Sequence, residues 1–411
     1  MKILKPLVPE DNLTMSRSTT HSSTDEREYT KPIIPVDLLI DIFSRLPLKH
    51  VARFRCLSKS WASILGSPYF TELFLTKSSN RPRLLFTVNS YGKLFFFSTP
   101  QITQNPHANS SVVATWYKTH PWKHHERTSS LLHGRLVCCT DGERDYYAER
   151  VICNPTTGEL LRLPKLKSIL NYRVMYCGYD PTEKKIKLLS AAAYFNTNRA
   201  WVLTLETGKL LWRMIECKYH YVMFRDPTYT HRHMICIDGV LYYLACINII
   251  DISHSTDFAI VCFDVKSEKF SFINIDDESM YRGGSTLINY KGRLGVVQFT
   301  DYERTLCLWL LEDAAGINKW STNIYELPLS WKHPCTENFQ IVGMTRTCDI
   351  VLSPCKFSDP FYVFYYNVER KTLARTEIQG LQGLQELKCD RPLVYIFPDY
   401  VEDLRLMESL F

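Results

Sequence analysis

The chain has 411 residues, of which 45% are hydrophobic and 22% are charged, as in an ordinary folded protein with room for more than one domain. Its net charge of +6 is too small and too evenly spread to indicate nucleic-acid binding. No stretch approaches the roughly 18 uninterrupted apolar residues of a membrane-spanning helix. We therefore expect neither a nucleic-acid partner nor a membrane partner.

The fourteen cysteines lie mostly inside apolar runs such as RLVCC and IVCFD, which is typical of buried free thiols in a reducing compartment. The N-terminal MKILKPLVPE is interrupted by prolines and lacks the apolar region of a signal peptide. No two cysteines have the CxxC spacing that favours structural zinc. We expect a protein of the cytoplasm, the nucleus or both, without a metal or another cofactor.

Residues 1–31 are polar and rich in serine and threonine. They carry too few apolar residues to bury a core, so we expect a disordered N-terminal tail. A site of regulatory phosphorylation is the alternative to a plain flexible tail.

A compact helical segment follows over residues 32–77. Its first helix is predicted to start at Pro35, where a missing N–H costs nothing, and to end at Pro47. Apolar residues at spacings of three and four form one stripe on this helix: Leu38, Leu39, Ile42, Phe43 and Leu46. Ser58 and Ser67 are predicted caps of further short helices, which makes three or four helices in total. This small unit has more apolar residues than its core needs, which indicates a partner surface.

Beyond residue 82 the apolar residues alternate with a period of two, which predicts β-strands. A glycine turn between two such strands recurs at Gly92, Gly134, Gly239 and Gly292. The resulting units of about 50 residues hold two hairpins each, and four strands per unit is the arrangement of a β-propeller blade. We expect six blades over residues 82–399, with five or seven blades or a β-sandwich as the alternatives.

The ends of this strand-rich body are predicted to meet. A C-terminal strand at 391–397 would close the ring by pairing beside the first strands at 83–99, and residues 400–411 would form a short C-terminal tail. The predicted fold class is α+β multidomain, a small helical module followed by an all-β propeller-like domain.

The segment IPVDLLIDIFSRLPLKHVARFRCLSKSW, residues 34–61, resembles the F-box in its plant form. Ile34 and Leu57 depart conservatively from the leucine and valine that are common there. The body resembles the plant F-box-associated interaction domain of the third type. The motifs that carry this second resemblance include NPTTGELLRLP (154–164), CIDGVLYYLA (236–245) and LINYKGRLG (287–295).

The resemblance implies a substrate receptor of a Skp-cullin-F-box type ubiquitin ligase. The F-box would dock on the Skp-type adaptor, which connects it to the cullin and RING subunits. The β-domain would capture a protein substrate, of unknown identity, for ubiquitination. The alternative is an F-box scaffold that acts outside ubiquitination. An enzyme or a lectin-like propeller is a third interpretation, but the sequence contains no P-loop and no GxSxG nucleophile elbow, so no catalytic residue is predicted.

The apolar stripe and the resemblance together predict the docking residues. The predicted adaptor-binding residues are Pro35, Leu38, Leu39, Ile42, Leu46, Pro47, Leu48 and Val51. The predicted core of the F-box consists of Phe43, Phe54 and Trp61. Basic side chains around them, including Arg45 and Lys49, would form either a rim that attracts an acidic adaptor or a solvated helix face.

Two segments that interrupt the blade pattern combine aromatic with basic residues, as binding surfaces do. They are TWYKTHPWKHHERTSS (115–130) and CKYHYVMFRDPTYTHRH (217–233). Because recognition residues on rigid scaffolds lie mostly on loops, we predict substrate-binding loops here. The predicted residues are Trp116, Tyr117, Trp122, Tyr221, Phe224 and Tyr229. The alternative is a blade strand followed by a solvated loop.

Overall fold

A computed structural model describes residues 34–405 of the chain, apart from a series of gaps. The gaps are residues 91, 103–109, 123–126, 142–148, 167–172, 193–196, 207, 224–233, 248–256, 276, 282–283, 301, 315–316, 329–330, 332–337 and 382–393. The tail predicted over residues 1–31 lies outside the described residues.

Four helices in the described range form the N-terminal module, which confirms the predicted helical unit. They are α1 (Val36–Arg45), α2 (Leu48–Leu57), α3 (Lys59–Gly66) and α4 (Pro68–Ser79). The hydroxyl of Ser58 accepts a hydrogen bond from the N–H of Ser60 at 3.2 Å, and that of Ser67 accepts one from Phe70 at 3.2 Å. These caps satisfy N–H groups that the first turns of α3 and α4 leave free.

Twenty-five strands follow in the described part of the chain. They are β1 (Arg83–Ser90), β2 (Lys93–Pro100), β3 (Ser110–Val113), β4 (Thr115–Pro121), β5 (Arg127–Leu132), β6 (Leu136–Asp141), β7 (Glu149–Cys153), β8 (Leu160–Arg162), β9 (Arg173–Asp180), β10 (Lys185–Ala192), β11 (Thr197–Leu205), β12 (Arg213–Met223), β13 (Met234–Ile237), β14 (Val240–Ile247), β15 (Asp257–Asp264), β16 (Phe270–Asn274), β17 (Thr286–Tyr290), β18 (Arg293–Thr300), β19 (Thr305–Ala314), β20 (Ile317–Glu326), β21 (Phe339–Met344), β22 (Asp349–Pro354), β23 (Tyr362–Asn367), β24 (Thr372–Gln379) and β25 (Val394–Tyr400).

These strands form a propeller of six antiparallel blades, the favoured prediction. Blade 1 contains β25, β1, β2 and β4 from the inside outwards, and blades 2 to 6 contain β5–β8, β9–β12, β13–β16, β17–β20 and β21–β24. Around the axis, β5 contacts β9, β9 contacts β13, β13 contacts β17, β17 contacts β21, and β21 contacts β25. The first strand of each later blade and the last strand of the chain therefore surround the centre of the ring.

The ring closes through the C-terminal strand, as the sequence predicted. Strand β25 pairs antiparallel with β1, with Phe86 opposite Ile396 and Val88 opposite Val394. All four residues are buried. Blade 1 is therefore built from both ends of the domain, which is how a propeller protects a sheet edge that would otherwise stay open.

Two further pairings tie neighbouring blades together. Strand β3 leaves blade 1 and pairs in parallel with β24 at the outer edge of blade 6, with Ser110 opposite Thr376. Between blades 3 and 4, the end of β12 pairs with β14, with Tyr221 opposite Ile247. These strands join adjacent blades by backbone hydrogen bonds in addition to side-chain packing.

Three of the predicted glycine turns, at Gly134, Gly239 and Gly292, connect the innermost strand of a blade to the second strand, whereas Gly92 connects the second and third strands of blade 1. In blades 2 and 5, His133–Gly134 and Lys291–Gly292 both have positive φ angles, 45° and 69° in the first pair and 52° and 85° in the second. Two successive residues with positive φ define the tight hairpin turns that match the twist of paired strands. Glycine suits the second position because the left-handed region penalises a Cβ atom, and at Gly134 a Cβ atom would also lie 3.3 Å from the carbonyl oxygen of Asp399.

The C-terminal boundary predicted from the sequence was wrong. Strand β25 extends to Tyr400, and the next four residues, Val401 to Leu404, are buried rather than forming a tail. Their burial is explained by their position, because they leave the innermost strand of blade 1 and pass beneath the helical module.

Within the described residues, no helix is long and apolar enough to cross a membrane.

The closing strand gives a stability prediction. Replacing Ile396 by alanine should lower the free energy of unfolding by roughly 2–5 kcal/mol, because it opens a cavity between β25 and β1. Ile324→Ala is the matched control, since this isoleucine of β20 is exposed and should change stability by less than about 0.5 kcal/mol. Urea denaturation of both variants tests this, and equal stabilities would contradict a role for β25 in closing the ring.

Candidate functional site

The outward side of α1 exposes large apolar side chains. Leu38 is 52% exposed and Ile42, one turn later, is 48% exposed, and both are long aliphatic residues. Pro35 and Pro47, which precede α1 and α2, are also exposed, while Leu39 and Leu46 are half-buried. We call these six residues the α1 face: Pro35, Leu38, Leu39, Ile42, Leu46 and Pro47.

The inward side of the same helix builds the core of the F-box module. Phe43 is buried, with its ring centroid 5.0 Å from that of Phe54 and 5.4 Å from that of Trp61. Phe54 and Trp61 are themselves 5.4 Å apart. The three aromatic residues that the sequence assigned to the core thus pack together, and their tilted and edge-on arrangement favours aromatic contacts.

Two predicted docking residues lie elsewhere. Leu48 and Val51 are buried in the F-box core with Phe43 instead of lying on the exposed α1 face, and their contact with the adaptor stays a prediction. Both side chains share a buried cluster with Phe43 of α1, Leu65 of α3 and aromatic residues of α4. An apolar pattern in the sequence identifies candidate residues, but it does not show which of them are buried in the core of the module and which stay exposed for a partner.

Charged residues surround the α1 face. Within α1, Arg45 donates hydrogen bonds to both carboxylate oxygens of Asp41 at 3.0 and 3.2 Å, and this bonding lowers the pKa of Asp41. Lys49, Arg53 and Arg55 on α2 are exposed. The helix that follows the α1 face thus presents exposed positive charge to solvent.

A second candidate site is the centre of the ring. An open cavity of about 850 Å³ is lined by the innermost strands of all six blades. Its walls include Leu132, Leu287, Val342 and Phe397. It is also lined by polar residues at its rim, which are Asp399 of β25 and the turn residues His133, Arg135, Asp238, Lys291 and Arg346. Leu75 and Ser79 of α4 also line it, so the F-box module lies at this end of the ring.

The rim groups are mostly held by neighbours. His133 stacks on Tyr179 with ring centroids 3.7 Å apart, and burial together with nearby arginines lowers the pKa of His133 to about 4. Lys291 pairs with Glu369, and Asp399 accepts a hydrogen bond from the side chain of Gln101 at 2.7 Å. Because its pKa is lowered to about 4, His133 is neutral near pH 7. In the described part of the chain no group of His, Cys, Asp and Glu side chains could hold a metal ion.

The predicted substrate-binding loops are corrected by the structure. Residues 115–121 form β4, the outer strand of blade 1, and Trp122 directly after it is buried. Tyr221 is buried inside β12. These aromatic residues pack because each lies in or beside a blade strand whose inward positions face a neighbouring sheet. Phe224 and Tyr229 lie outside the described residues.

Two of the predicted loop residues have different surroundings. Trp116 is 58% exposed on β4, and its role in binding stays a prediction. Tyr117 packs against the F-box core and donates a hydrogen bond to Glu402. Tyr117 is thus part of the contact between the ring and the F-box module.

The sequence analysis missed the residues that join the two domains. Leu404, which follows the ring, is 6% exposed and belongs to the F-box core cluster. Arg81 donates hydrogen bonds to the carbonyls of Arg45 and Ser44 at 2.8 and 3.0 Å and so caps the C-terminus of α1. The sequence did contain one signal for Leu404: it is an apolar residue in a segment that was predicted to be a solvent-exposed tail.

The geometry defines a class of protein in which a small helical module with an exposed apolar face is attached to a six-bladed propeller. Comparison with family models agrees, since residues 32–73 match the F-box domain and residues 83–401 match the F-box associated beta propeller domain. The chain belongs to the plant F-box proteins that carry an F-box associated β-propeller domain.

Curated relatives extend over most of the chain. F-box protein At5g65850 of Arabidopsis thaliana is 40% identical over 420 residues, covering 100% of both chains. F-box protein DOR of Arabidopsis thaliana is 42% identical over 387 residues, covering 91% of this chain and 94% of the relative. The similarity therefore includes both the F-box and the ring.

An aspartate should have different effects at Val51, in the core beneath the helices, and at Leu38, on the exposed side of α1. Val51→Asp should unfold the F-box module, because a carboxylate without a partner in an apolar core costs several kcal/mol. Leu38→Asp should leave the module folded, since this side chain is largely exposed. Hydrogen exchange of the α1–α4 amides, with the ring amides as internal reference, distinguishes the two. Equal protection in both variants would contradict the assignment of Val51 to the core.

Proposed function

We propose that the protein is the substrate receptor of a Skp-cullin-F-box type ubiquitin ligase. The observation that supports this most directly is the α1 face. The F-box core is complete without Leu38 and Ile42, yet both remain exposed beside prolines on the surface of a small folded module. Exposed apolar side chains grouped in this way are typical of a protein-binding surface.

The chemistry of the α1 face fits a Skp-type adaptor. Aliphatic side chains at its centre would be desolvated on binding and supply most of the affinity. Exposed Lys49, Arg53 and Arg55 on α2 would attract an acidic adaptor and orient it during encounter. Through the adaptor the protein would connect indirectly to the cullin and RING subunits.

The ring would supply the substrate-binding side. It is a closed ring in which strand pairing joins β25 to β1, blade 1 to blade 6 and blade 3 to blade 4, and its central cavity is lined by charged turn residues such as Lys291 and Arg346. Such a surface suits recognition of a protein, and we propose no reaction for it. The protein would then be a non-catalytic subunit whose partner enzymes perform the transfer of ubiquitin.

The thiols support an intracellular location. All twelve cysteines in the described residues are free, and most of them are buried. For Cys153 and Cys262, burial raises the pKa of the thiol, to about 12 in Cys262, so that neither is an ionised nucleophile near pH 7. We propose the cytoplasm, the nucleus or both as the compartment.

An F-box scaffold acting outside ubiquitination is the second candidate. It would use the same α1 face and the same adaptor, so the adaptor contact alone does not separate the two functions. They differ in whether the bound complex recruits the cullin and supports ubiquitin transfer.

Adaptor binding can be tested on the α1 face. The double variant Leu38→Asp plus Ile42→Asp should abolish capture of the Skp-type adaptor, because the interface would bury two carboxylates without partners. The measurement is pull-down of purified adaptor by the full chain, followed by calorimetric titration.

The matched control places two aspartates elsewhere on the same module. Leu57 and Tyr69 are more exposed than Leu38 and Ile42 and lie outside α1. Leu57→Asp plus Tyr69→Asp should bind the adaptor as the wild type does. Adaptor binding by the α1 variant at wild-type affinity would exclude this docking face.

Ubiquitin transfer separates the receptor from the scaffold. When the full chain is reconstituted with adaptor, cullin, RING subunit and the ubiquitin-charged enzyme, we expect ubiquitin on a captured protein or on the receptor itself. The α1 double variant in the same mixture should show neither product. An assembled complex that binds the adaptor but transfers no ubiquitin would favour the scaffold function.

A further inference from the structure

We infer that the segment Val401–Arg405 and the NPTTG turn of blade 2 form a bracket that fixes the orientation of the F-box on the ring. The covalent connection between the domains is only residues 80–82, between α4 and β1. A single short connection leaves two domains free to pivot. The bracket is a second connection, made by the opposite end of the chain.

The segment is held on its ring side by the NPTTG turn. The side-chain amide of Asn154 donates to the carbonyl oxygens of Asp403 and Arg405 at 3.0 and 3.3 Å. Thr156 accepts a hydrogen bond from the N–H of Asp403 at 3.2 Å, and its hydroxyl lies 2.6 Å from the hydroxyl of Tyr400. The motif therefore recognises the backbone of the C-terminal segment.

Buried charge fixes the middle of the segment. Asp403 is 0% exposed, and its carboxylate accepts hydrogen bonds from Arg405 at 2.8 and 3.0 Å and from Arg135 at 3.3 Å. A buried carboxylate needs such partners because water is excluded. Arg135 belongs to the turn region of blade 2, so this charge pairing joins the segment to the ring as well.

The other side of the segment contacts the F-box. Leu404 packs into the cluster that contains Phe70 and Phe74 of α4. Arg405 lies 3.7 Å from the carboxylate of Glu72, also on α4. One short peptide thus places adjacent residues in two domains, with the carboxylate of Asp403 on the ring and the side chain of Leu404 in the F-box.

A third set of contacts runs alongside the bracket. Ser98 on β2 donates to the hydroxyl of Tyr117 at 2.6 Å, and this hydroxyl donates to Glu402. Arg83 lies 3.7 Å from the same carboxylate. The bracket therefore has partners in blade 1, blade 2 and the F-box. Contacts at three places hold the F-box in one orientation relative to the ring and oppose a hinge motion between them.

The orientation can be measured directly in the full chain. Spin labels on a non-natural amino acid at exposed Lys49 of α2 and Lys266 of blade 4 report the distance between the domains. The wild type should give one narrow distance distribution. Leu404→Ala and Leu404→Asp should lose that peak and give progressively broader distributions, because the F-box contact is removed. Leu211→Ala, at an exposed leucine, is the control and should keep the peak.

Hydrogen exchange at β25 and β1 shows whether the ring stays closed in these variants. An intact ring with an unchanged narrow distribution in Leu404→Asp would overturn the inference. If Leu404→Asp opens the ring, Leu404→Ala decides, since it truncates one side chain four residues beyond β25. If Leu404→Ala also opens the ring, the segment serves ring closure and the inference is overturned.

The inference deepens the proposed function, because a receptor needs a fixed distance between adaptor and substrate, but its test does not require the adaptor. Adaptor binding by Leu404→Ala should match the wild type, since the α1 face is untouched. A wild type that fails to bind the adaptor would reject the proposed function and leave the distance measurement valid.

Discussion

The backbone hydrogen bonds between β25 and β1 join the two ends of the propeller domain, and both the closure of the ring and the path of the chain towards the F-box depend on them. Because β25 occupies the innermost place in blade 1, the chain must leave the ring near its axis. It leaves on the side where the F-box lies, since α4 lines the same cavity rim as the turn residues. Closure of the ring and contact with the F-box are therefore consequences of one strand pairing.

This arrangement solves a problem of size for the F-box. Four short helices enclose little apolar volume, and a module that small is marginally stable by itself. Here its core is extended by Leu404 and Tyr117, which the ring supplies. The helices can then keep Leu38 and Ile42 outside without losing the fold. Because the ring contributes these side chains to the F-box core, the outer side of α1 can stay free to contact another protein.

The sequence predicted the elements better than their surroundings. Prolines and serine caps are local signals, so the helices were predictable, and the x-G turns revealed the blades because glycine there answers a backbone requirement. Burial depends on partners that are distant in the sequence. Val51 and Tyr221 belong to apolar runs that look the same whether the neighbouring surface is protein or solvent, and their burial became visible only in three dimensions.

The same distinction applies to the motif NPTTG. As a sequence it indicates a turn between two strands, because asparagine accepts hydrogen bonds from the backbone that follows. Its carbonyl oxygen does this by accepting from the N–H of Thr156 at 2.9 Å. The side-chain NH2 group of Asn154 instead donates to the carbonyl oxygens of Asp403 and Arg405, some 250 positions later in the sequence. No local rule predicts such a partner.

The placement of β25 also sets an order of events during biosynthesis. Domains fold from the N-terminus as the chain emerges, but the innermost strand of blade 1 and Leu404 of the F-box core cluster are both made after blades 2 to 6. A ribosome-bound chain can form α1–α4 and blades 2 to 6 while blade 1 still lacks its central strand. The F-box therefore acquires its final core and its fixed position only after residues 394–404 have been made. A chain truncated before them would present α1 on a module without Leu404 in its core and without a fixed position on the ring.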